Sequence, residues 1–313
     1  MNQLVVSSSP HIHAKNTTRS IMLDVIIALL PTAIASVVLF GLKALLIISV
    51  CVITSVVSEF LFNLICKKTQ TATDLSAVIT GLILALSLPA KVEIWHCVVG
   101  AVFAIVVVKC LFGGIGCNFA NPAATARVFL LIAFSSAIGG ATSTVIGGAE
   151  LVATATPLEI IKLGSGETLP SLLDMFLGNR AGAIGETCTL ALLIGGIYLI
   201  ARRVIKWHTP VIYIGTVFVL SLLIKQDLTA ALYQVLGGGV VIAAFFMITD
   251  YSTTPMNNGG KMLFAFGCGL ITVLIRFFGA YPEGVTYAIL IMNILSPYLD
   301  KLCAKKPFGK VGK

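Results

Sequence analysis

Residues 22–41 read MLDVIIALLPTAIASVVLFG, and residues 44–66 read ALLIISVCVITSVVSEFLFNLIC. Runs of about 20 apolar residues match a hydrocarbon core of about 30 Å, because a helix rises ~1.5 Å per residue. Similar runs recur along the 313-residue chain, in which 58% of residues are hydrophobic and 11% are charged. This composition excludes a soluble enzyme, a disulfide-bonded secreted protein and a disordered chain. It predicts an all-α, polytopic integral membrane protein.

The apolar runs predict ten transmembrane helices. They are 22–41, 44–66, 75–90, 95–112, 123–143, 184–201, 209–225, 229–249, 262–279 and 284–299. The third is short and ends at Pro89, and the eighth is broken at Gly237, Gly238 and Gly239. Such helices at matching places in two halves are typical of inverted repeats with a binding site between them. We therefore expect an N-terminal arm, two inverted five-helix halves around an outside loop, and a basic tail: 1–21, 22–143, 144–183, 184–300 and 301–313.

Lysine and arginine predict the orientation. With the N-terminus in the cytoplasm, 15 of the 21 cations fall on the inside, as the positive-inside rule requires. Both termini are then expected in the cytoplasm of a bacterial or archaeal cell, with the chain in its cytoplasmic membrane. The net charge of +8 does not indicate nucleic acid, because the cations lie in short clusters between the spans. No residues are predicted to bind a metal, since the eight cysteines form no C-x-x-C pair.

Several stretches are unusual for plain membrane helices. They are Ser7–Ile12 (SSSPHI), 113–122 (GGIGCNFANP) running on to Arg127, 155–158 (ATPL), Gly185–Thr187 (GET), and 245–255 (FFMITDYSTTP) followed by Gly259, Gly260 and Lys261. In this order, and with ten spans, they resemble the RnfD/NqrB family of flavin-carrying membrane subunits. The short N-terminal arm is more similar to RnfD than to NqrB.

Two of these stretches combine helix breakers with polar side chains. Glycine lets a backbone approach a flat ligand closely, and proline frees backbone groups of a helix. Asn118, Asn121, Thr253 and Thr254 carry groups that can hydrogen-bond the heteroatoms of a flavin ring. From the residues alone, turns needed only for helix packing are the favoured interpretation. The resemblance implies a second, non-covalent flavin such as riboflavin near the cytoplasm. Its candidate contacts also include Arg127, Asp250 and Lys261. Glu186, which opens a span beside the outside loop, is a further candidate flavin contact.

The resemblance also implies a covalent flavin on the outside loop. In the family, a flavin transferase uses FAD to join FMN to a threonine through a phosphoester, within Asp-x-x-(Ser/Thr)-Gly-Ala-Thr. The matching residues here are 150–156 (ELVATAT), so Thr156 is the expected acceptor and Thr154 the alternative. The chain has Glu150 for the aspartate, Ala153 at the hydroxyl position and Thr154 at the glycine position. From the residues alone, Thr156 is also an ordinary loop hydroxyl before a proline.

Charges inside the spans are costly against lipid, so we expect them to face the interior of the bundle. They are Glu59, Asp74, Lys109, Glu186, Asp250 and Arg276. For Lys109 and Arg276 we favour side chains that extend from helix ends towards water.

The resemblance implies a subunit of an Rnf-type, ion-translocating ferredoxin:NAD⁺ oxidoreductase. Electrons would cross the membrane between FMN on Thr156 and the inner flavin, coupled to Na⁺ or H⁺ transport, with other Rnf subunits as partners. No residue is assigned a catalytic role, and the chain alone is expected to be inactive. Three alternatives remain open. They are an inverted-repeat channel or transporter without flavin, an NqrB-like quinone-reducing subunit, and a scaffold subunit.

Overall fold

The computed structural model describes residues 17–139, 141–144, 153–163 and 169–304. The predicted motif Ser7–Ile12 and the start of the flavin pattern, Glu150–Val152, lie outside these residues, as do most of the N-terminal arm and the tail. The described helices are α1 (Thr18–Phe40), α2 (Leu42–Ile65), α3 (Ser76–Leu86), α4 (Ile94–Cys110), α5 (Pro122–Ala133), α6 (Ser135–Ile138), α7 (Pro157–Leu163), α8 (Leu172–Leu177), α9 (Thr189–Ala201), α10 (His208–Lys225), α11 (Leu228–Leu236), α12 (Val240–Met247), α13 (Asn258–Phe278) and α14 (Val285–Leu302).

The all-α class and the multi-pass membrane character are confirmed. Among the described residues, α1, α2, α10 and α13 are each long and apolar enough to cross a membrane, and the bent pair of α11 and α12 makes a fifth. Shorter apolar helices are α3, α4, α5 and α9. With α14, these elements follow the ten predicted spans in order, whereas the count of ten crossings and the inverted halves stay predictions. The described strands are one antiparallel pair, β1 (Ala141–Thr142) and β2 (Ala153–Thr154).

Two kinds of helix irregularity shape the middle of the molecule. The second part of α4, from Phe103, and of α12, from Ala243, is π-helical. Segments of this kind often occur at functional sites. The helices α11 and α12 meet at an angle of 61°, at the predicted Gly237–Gly239 break. Irregular backbone at membrane depth is tolerated where it is buried in protein or lines a cavity, and both cases occur here.

The core lies around the π-helical part of α12. Residues Ala243–Met247 are all buried there. In α9, Gly196 lies under Phe245, whose ring would overlap a Cβ at this position. A side chain at Gly196 would push α9 and α12 apart, so the absence of one sets how closely the two helices pack.

Candidate functional site

A cavity of about 210 Å³ opens between the two unusual loops. Its walls come from α1, α3, α4, α9, α12 and the loops that precede α5 and α13. Its polar lining residues are Ser76, Thr80, Lys109, Asn118, Asn121, Thr249, Asp250 and Ser252. Phe245, Phe246, Ile79 and Ile83 supply apolar walls. The structure therefore brings Asn118, Asn121 and Asp250 together from sequence positions more than 120 residues apart.

The first loop, 113–121, is held in shape by its glycines and by Asn121. Gly113, Gly114 and Gly116 have φ values of 118°, 94° and 86°, which residues other than glycine rarely adopt. Asn121 caps α5, since its Oδ1 accepts hydrogen bonds from the Ala123 and Ala124 amides at 3.1 and 3.2 Å. The Oδ1 of Asn118 is buried and has no hydrogen-bond partner. The loop therefore contributes to the cavity wall a residue that has one unsatisfied acceptor.

The second loop, 248–257, is organised by Asp250. Its carboxylate accepts hydrogen bonds from the Ser252 hydroxyl at 2.9 Å and the Thr253 hydroxyl at 3.1 Å. The Thr254 hydroxyl donates to the Asp250 carbonyl at 2.6 Å. Thr253 and Thr254 thus stabilise the loop and do not line the cavity. Lys261 does not line it either, although its Nζ lies 6.0 Å from the centre of the ring of Tyr251, which does.

The two loops are joined by a residue that the sequence did not single out, Asn293 of α14. In the orientation that satisfies its amide, it donates to the Thr253 carbonyl at 3.2 Å and accepts from the Asn121 N–H at 3.0 Å. The sequence does contain a signal for this residue, because Asn293 is a lone asparagine inside the apolar run 284–299. No comparable sequence signal marks Ser76 and Thr80 of the cavity wall, because small hydroxyl residues are common in the predicted spans.

The interpretation of Lys109 as a side chain extending towards water is wrong. Its ammonium is buried and bonds both carboxylate oxygens of Glu59, at 2.9 and 2.8 Å, and the Ser76 hydroxyl at 2.5 Å. The expectation that charges in the spans face the interior is confirmed for both partners. Lys109 does lie in the last turn of α4, but its ammonium bonds a buried carboxylate and does not reach towards water.

Arg276 is the second correction. It is buried and donates hydrogen bonds to the carbonyls of Gln234, Gly237 and Gly238, at 2.5, 3.1 and 2.8 Å. Arg180 donates to the Leu236 carbonyl at 2.7 Å. The last carbonyls of a helix have no partner within that helix, and cations are favourable there. The two arginines thus satisfy the end of α11 at the break.

Glu186 and Arg127 lie on the other side of the same break, and neither lines the cavity. Glu186 is buried, and its Oε1 accepts from the Ala183 N–H at 3.1 Å, whereas its Oε2 has no hydrogen bond. A Cβ at Gly239 would lie 3.4 Å from this Oε2 and 3.7 Å from Arg127 Nη1. The carboxylate therefore lies at the start of α12, where negative charge is favourable.

The position of Arg127 changes the count of lysines and arginines that predicts the orientation of the chain. It pairs with Glu283, which precedes α14, at 2.5 Å. It therefore lies within the bundle and is not a cytoplasmic charge that reports topology. When the bundle cations Lys109, Arg127, Arg180 and Arg276 are omitted, 13 cations remain on the predicted inside and 4 on the predicted outside. The bias that predicts the orientation persists.

Thr156 immediately precedes α7 and forms a capping box with Glu159. Its Oγ1 accepts a hydrogen bond from the Glu159 N–H at 3.0 Å, and the Glu159 carboxylate accepts from the Thr156 N–H at 3.1 Å. Pro157 follows as the first helical residue, a position that suits proline. Thr156 is half-buried, and the alternative acceptor Thr154 lies in β2.

The helix α7 is attached to the break region. Leu158 is buried and packs against Gly237 and Gly238. Lys162 donates to the carbonyls of Gly279 and Tyr281 at 2.6 and 2.8 Å. Partial burial lowers the pKa of Lys162. The expected acceptor threonine is therefore two residues from a contact with the break, on the part of the chain predicted to lie outside.

Comparison with known proteins gives the family. The sequence pattern described as the NQR2, RnfD, RnfE family matches residues 5–309. The chain belongs to this family. The resemblance to the RnfD/NqrB family is thereby confirmed over almost the whole chain.

Three similar relatives carry descriptive names. The D subunit of the Na⁺-translocating ferredoxin:NAD⁺ oxidoreductase complex of Acetobacterium woodii is 47% identical, over 99% of this chain and 97% of the relative. The D subunit of the proton-translocating ferredoxin:NAD⁺ oxidoreductase complex of Clostridium ljungdahlii is 39% identical, over 98% and 97%. The D subunit of the ion-translocating oxidoreductase complex of Escherichia coli is 32% identical, over 97% and 98%.

Proposed function

We propose that the chain is the D subunit of an Rnf-type, ion-translocating ferredoxin:NAD⁺ oxidoreductase and that it carries electrons across the membrane. The names and full-length similarity of the three relatives support the complex. The cavity supports the electron route. It lies between the two loops that the family resemblance assigns to an inner flavin, and its wall includes Asn118, whose buried Oδ1 has no hydrogen-bond partner.

The lining of the cavity fits a riboflavin-like ring. Such a ring has an apolar body with hydrogen-bond donors and acceptors at one edge, so it needs apolar walls and a few polar groups. Phe245 and Phe246 supply walls, and Asn118 and Asp250 supply acceptors. When bound, the flavin supplies the redox chemistry, whereas the protein orients the ring and excludes water. Asn121, Thr253 and Thr254 hold the loops in place, and Lys261 lies beside Tyr251 of the cavity wall.

For the outer flavin we propose FMN on Thr156, joined by a phosphoester that a flavin transferase makes. The half-buried hydroxyl at the start of α7 supports this assignment, because its side chain is held in a fixed orientation by Glu159. Arg127 and Glu186 lie beside the break that Leu158 contacts. We therefore assign both to the outer flavin, and for Arg127 this replaces the assignment to the inner one.

The remaining parts of the proposal concern the surroundings of the protein. Both termini lie in the cytoplasm of a bacterial or archaeal cell, supported by the remaining positive-inside bias. Electron transfer is coupled to Na⁺ or H⁺ transport, and the relatives that name an ion include one of each kind. The other subunits of the complex supply and remove the electrons.

The decisive experiment is the intact mass of the full chain after co-expression with a flavin transferase. We expect one FMN adduct on the peptide that contains Thr156. It should be lost in Thr156→Ala and kept in the matched control Thr154→Ala. An unmodified wild-type chain, with the transferase active on another substrate, would contradict the covalent flavin and favour the channel or transporter.

A further inference from the structure

The ion pair of Lys109 and Glu59 lies at the wall of the cavity. Each side chain is buried, with 1% of the residue exposed. Lys109 and Ser76 both line the cavity, and the Lys109 ammonium donates to the Ser76 hydroxyl. Burying two charges in a membrane protein costs free energy that packing of apolar residues would avoid. The pair therefore needs an explanation beyond the stability of the helices.

The surrounding groups keep both charges in place. Glu59 of α2 accepts a hydrogen bond from the Thr71 hydroxyl at 2.8 Å, and Asn63 donates to that hydroxyl at 3.0 Å. Ser76 donates to Asp74 at 2.7 Å, next to the start of α3. Three helices and the loop before α3 thus fix an ammonium group at the cavity, with its counter-charge on the side away from it.

The lining of the cavity contains few charges. Among the described lining residues, Lys109 is the one cation and Asp250 the one carboxylate. Asp250 has its negative charge distributed over hydrogen bonds from Ser252 and Thr253. In a medium of low dielectric constant, a charge a few ångströms from a ligand interacts with it strongly. Any change of charge on a ligand in this cavity is therefore felt by both Lys109 and Asp250, and of the two it is Lys109 whose charge is adjusted by a buried partner.

We propose that the Glu59–Lys109 pair sets the reduction potential of the flavin in the cavity. Reduction brings electrons from the outer flavin and adds negative charge to the ring. Lys109 favours this added charge, and Glu59 limits the effect by partly neutralising Lys109. The inference rests on the proposed inner flavin, but it concerns residues that the sequence motifs do not include.

The experiment uses the full chain with Thr156→Ala, purified with the other subunits, so that the non-covalent flavin is measured without the covalent one on this chain. Its midpoint potential is determined by spectroelectrochemical titration at fixed pH. Glu59→Gln should raise the potential and Lys109→Gln should lower it. Each shift should reach a tenfold change of the redox equilibrium, about 30 mV for a two-electron couple. The double variant should return towards the parent value.

The matched control is Glu93→Gln, which removes an exposed carboxylate before α4 and retains an oxygen for Trp95. It should leave the potential unchanged. Shifts of opposite sign cannot result from a general loosening of the protein. Should Lys109→Gln fail to accumulate, a raised potential in Glu59→Gln that the double variant reverses still supports the proposal.

Two negative outcomes separate the claims. In the first, the Glu59 and Lys109 variants contain the normal amount of flavin, but its midpoint potential is unchanged or shifts in the same direction in both. This result overturns the role of the pair and leaves the electron route intact. Absence of non-covalent flavin from the Thr156→Ala chain overturns both the inner flavin and the role of the pair.

Discussion

The cavity and the glycine break both place irregular backbone within the bundle, but they satisfy it in different ways. At the break, Arg276 and Arg180 bond the free carbonyls of α11, and Glu186 lies at the start of α12. At the cavity, Asn121, Asn293 and the Asp250 carboxylate hold the loops. Asn118 keeps an unused acceptor there. Charged side chains fill the break, whereas the cavity stays open although Lys109 and Asp250 line it. The comparison indicates that the break supports the fold, whereas the cavity has room for the proposed ligand.

The largest expected effect is at the break. Arg276→Met removes the donors of three buried carbonyls, so the free energy of unfolding should fall by on the order of 3 to 5 kcal/mol. The measurement is chemical unfolding in detergent, together with the yield of monodisperse protein. Lys225→Met, an exposed cation at the end of α10, should have little effect. Equal losses in the two variants would show that the carbonyl contacts of Arg276 do not stabilise the break.

A smaller effect is expected from the backbone of the break. Gly238 has a φ of 59°, and a Cβ there would lie 2.5 Å from Leu158 Cδ1 and 2.8 Å from Arg276 Nη2. Gly238→Ala should cost about 2 kcal/mol, because it combines a strained backbone with a displaced neighbour. Gly215→Ala, in open space on α10, should be neutral or stabilising. Thermal unfolding of the two variants side by side provides the test.

At the cavity we expect loss of ligand without loss of stability. Asn118→Leu removes the unpaired acceptor, so binding of the non-covalent flavin should weaken about tenfold, which corresponds to one lost hydrogen bond of about 1.4 kcal/mol. The flavin content after denaturation measures binding, and the unfolding midpoint of the ligand-free chain should not change. A large fall in that midpoint would mean that Asn118 supports the loop, as Arg276 supports the break.

The smallest effect is expected at the start of the broken helix, in the loop between α10 and α11. Hydrogen bonds from the Thr229 hydroxyl and amide lower the pKa of Asp227, so its ionised form is favoured in the folded state. This contribution is present above the pKa of the unfolded chain, about 4, and is lost as the pH falls through the lower folded value. Asp227→Asn retains an N-cap without titration. A thermal midpoint that falls more steeply with acid in wild type than in Asp227→Asn is the expected result.

The features predicted from sequence were local ones. The three adjacent glycines at 237–239 predict the break, because glycine disfavours a helix at each of these positions. Asn118 and Asp250 were found because they lie close to the helix-breaking glycines and prolines of their loops. The errors concern partners distant in sequence. Lys109 pairs with Glu59, 50 residues away, and Arg127 with Glu283, 156 residues away. Helical periodicity does not say which spans are neighbours, so these side chains were interpreted from their position on a single helix.

The capping box of Thr156 has a consequence for the order of maturation. The oxygen that would carry FMN is the same oxygen that accepts the Glu159 N–H and starts α7. An enzyme that modifies this oxygen would compete with the hydrogen bond from the Glu159 N–H, so modification would be easier before the first turn of α7 closes. Because Leu158 and Lys162 attach the same helix to the break and to the loop after α13, early folding of this region would compete with modification. Under the proposed modification, cofactor attachment and the final docking of α7 would be two steps whose order matters.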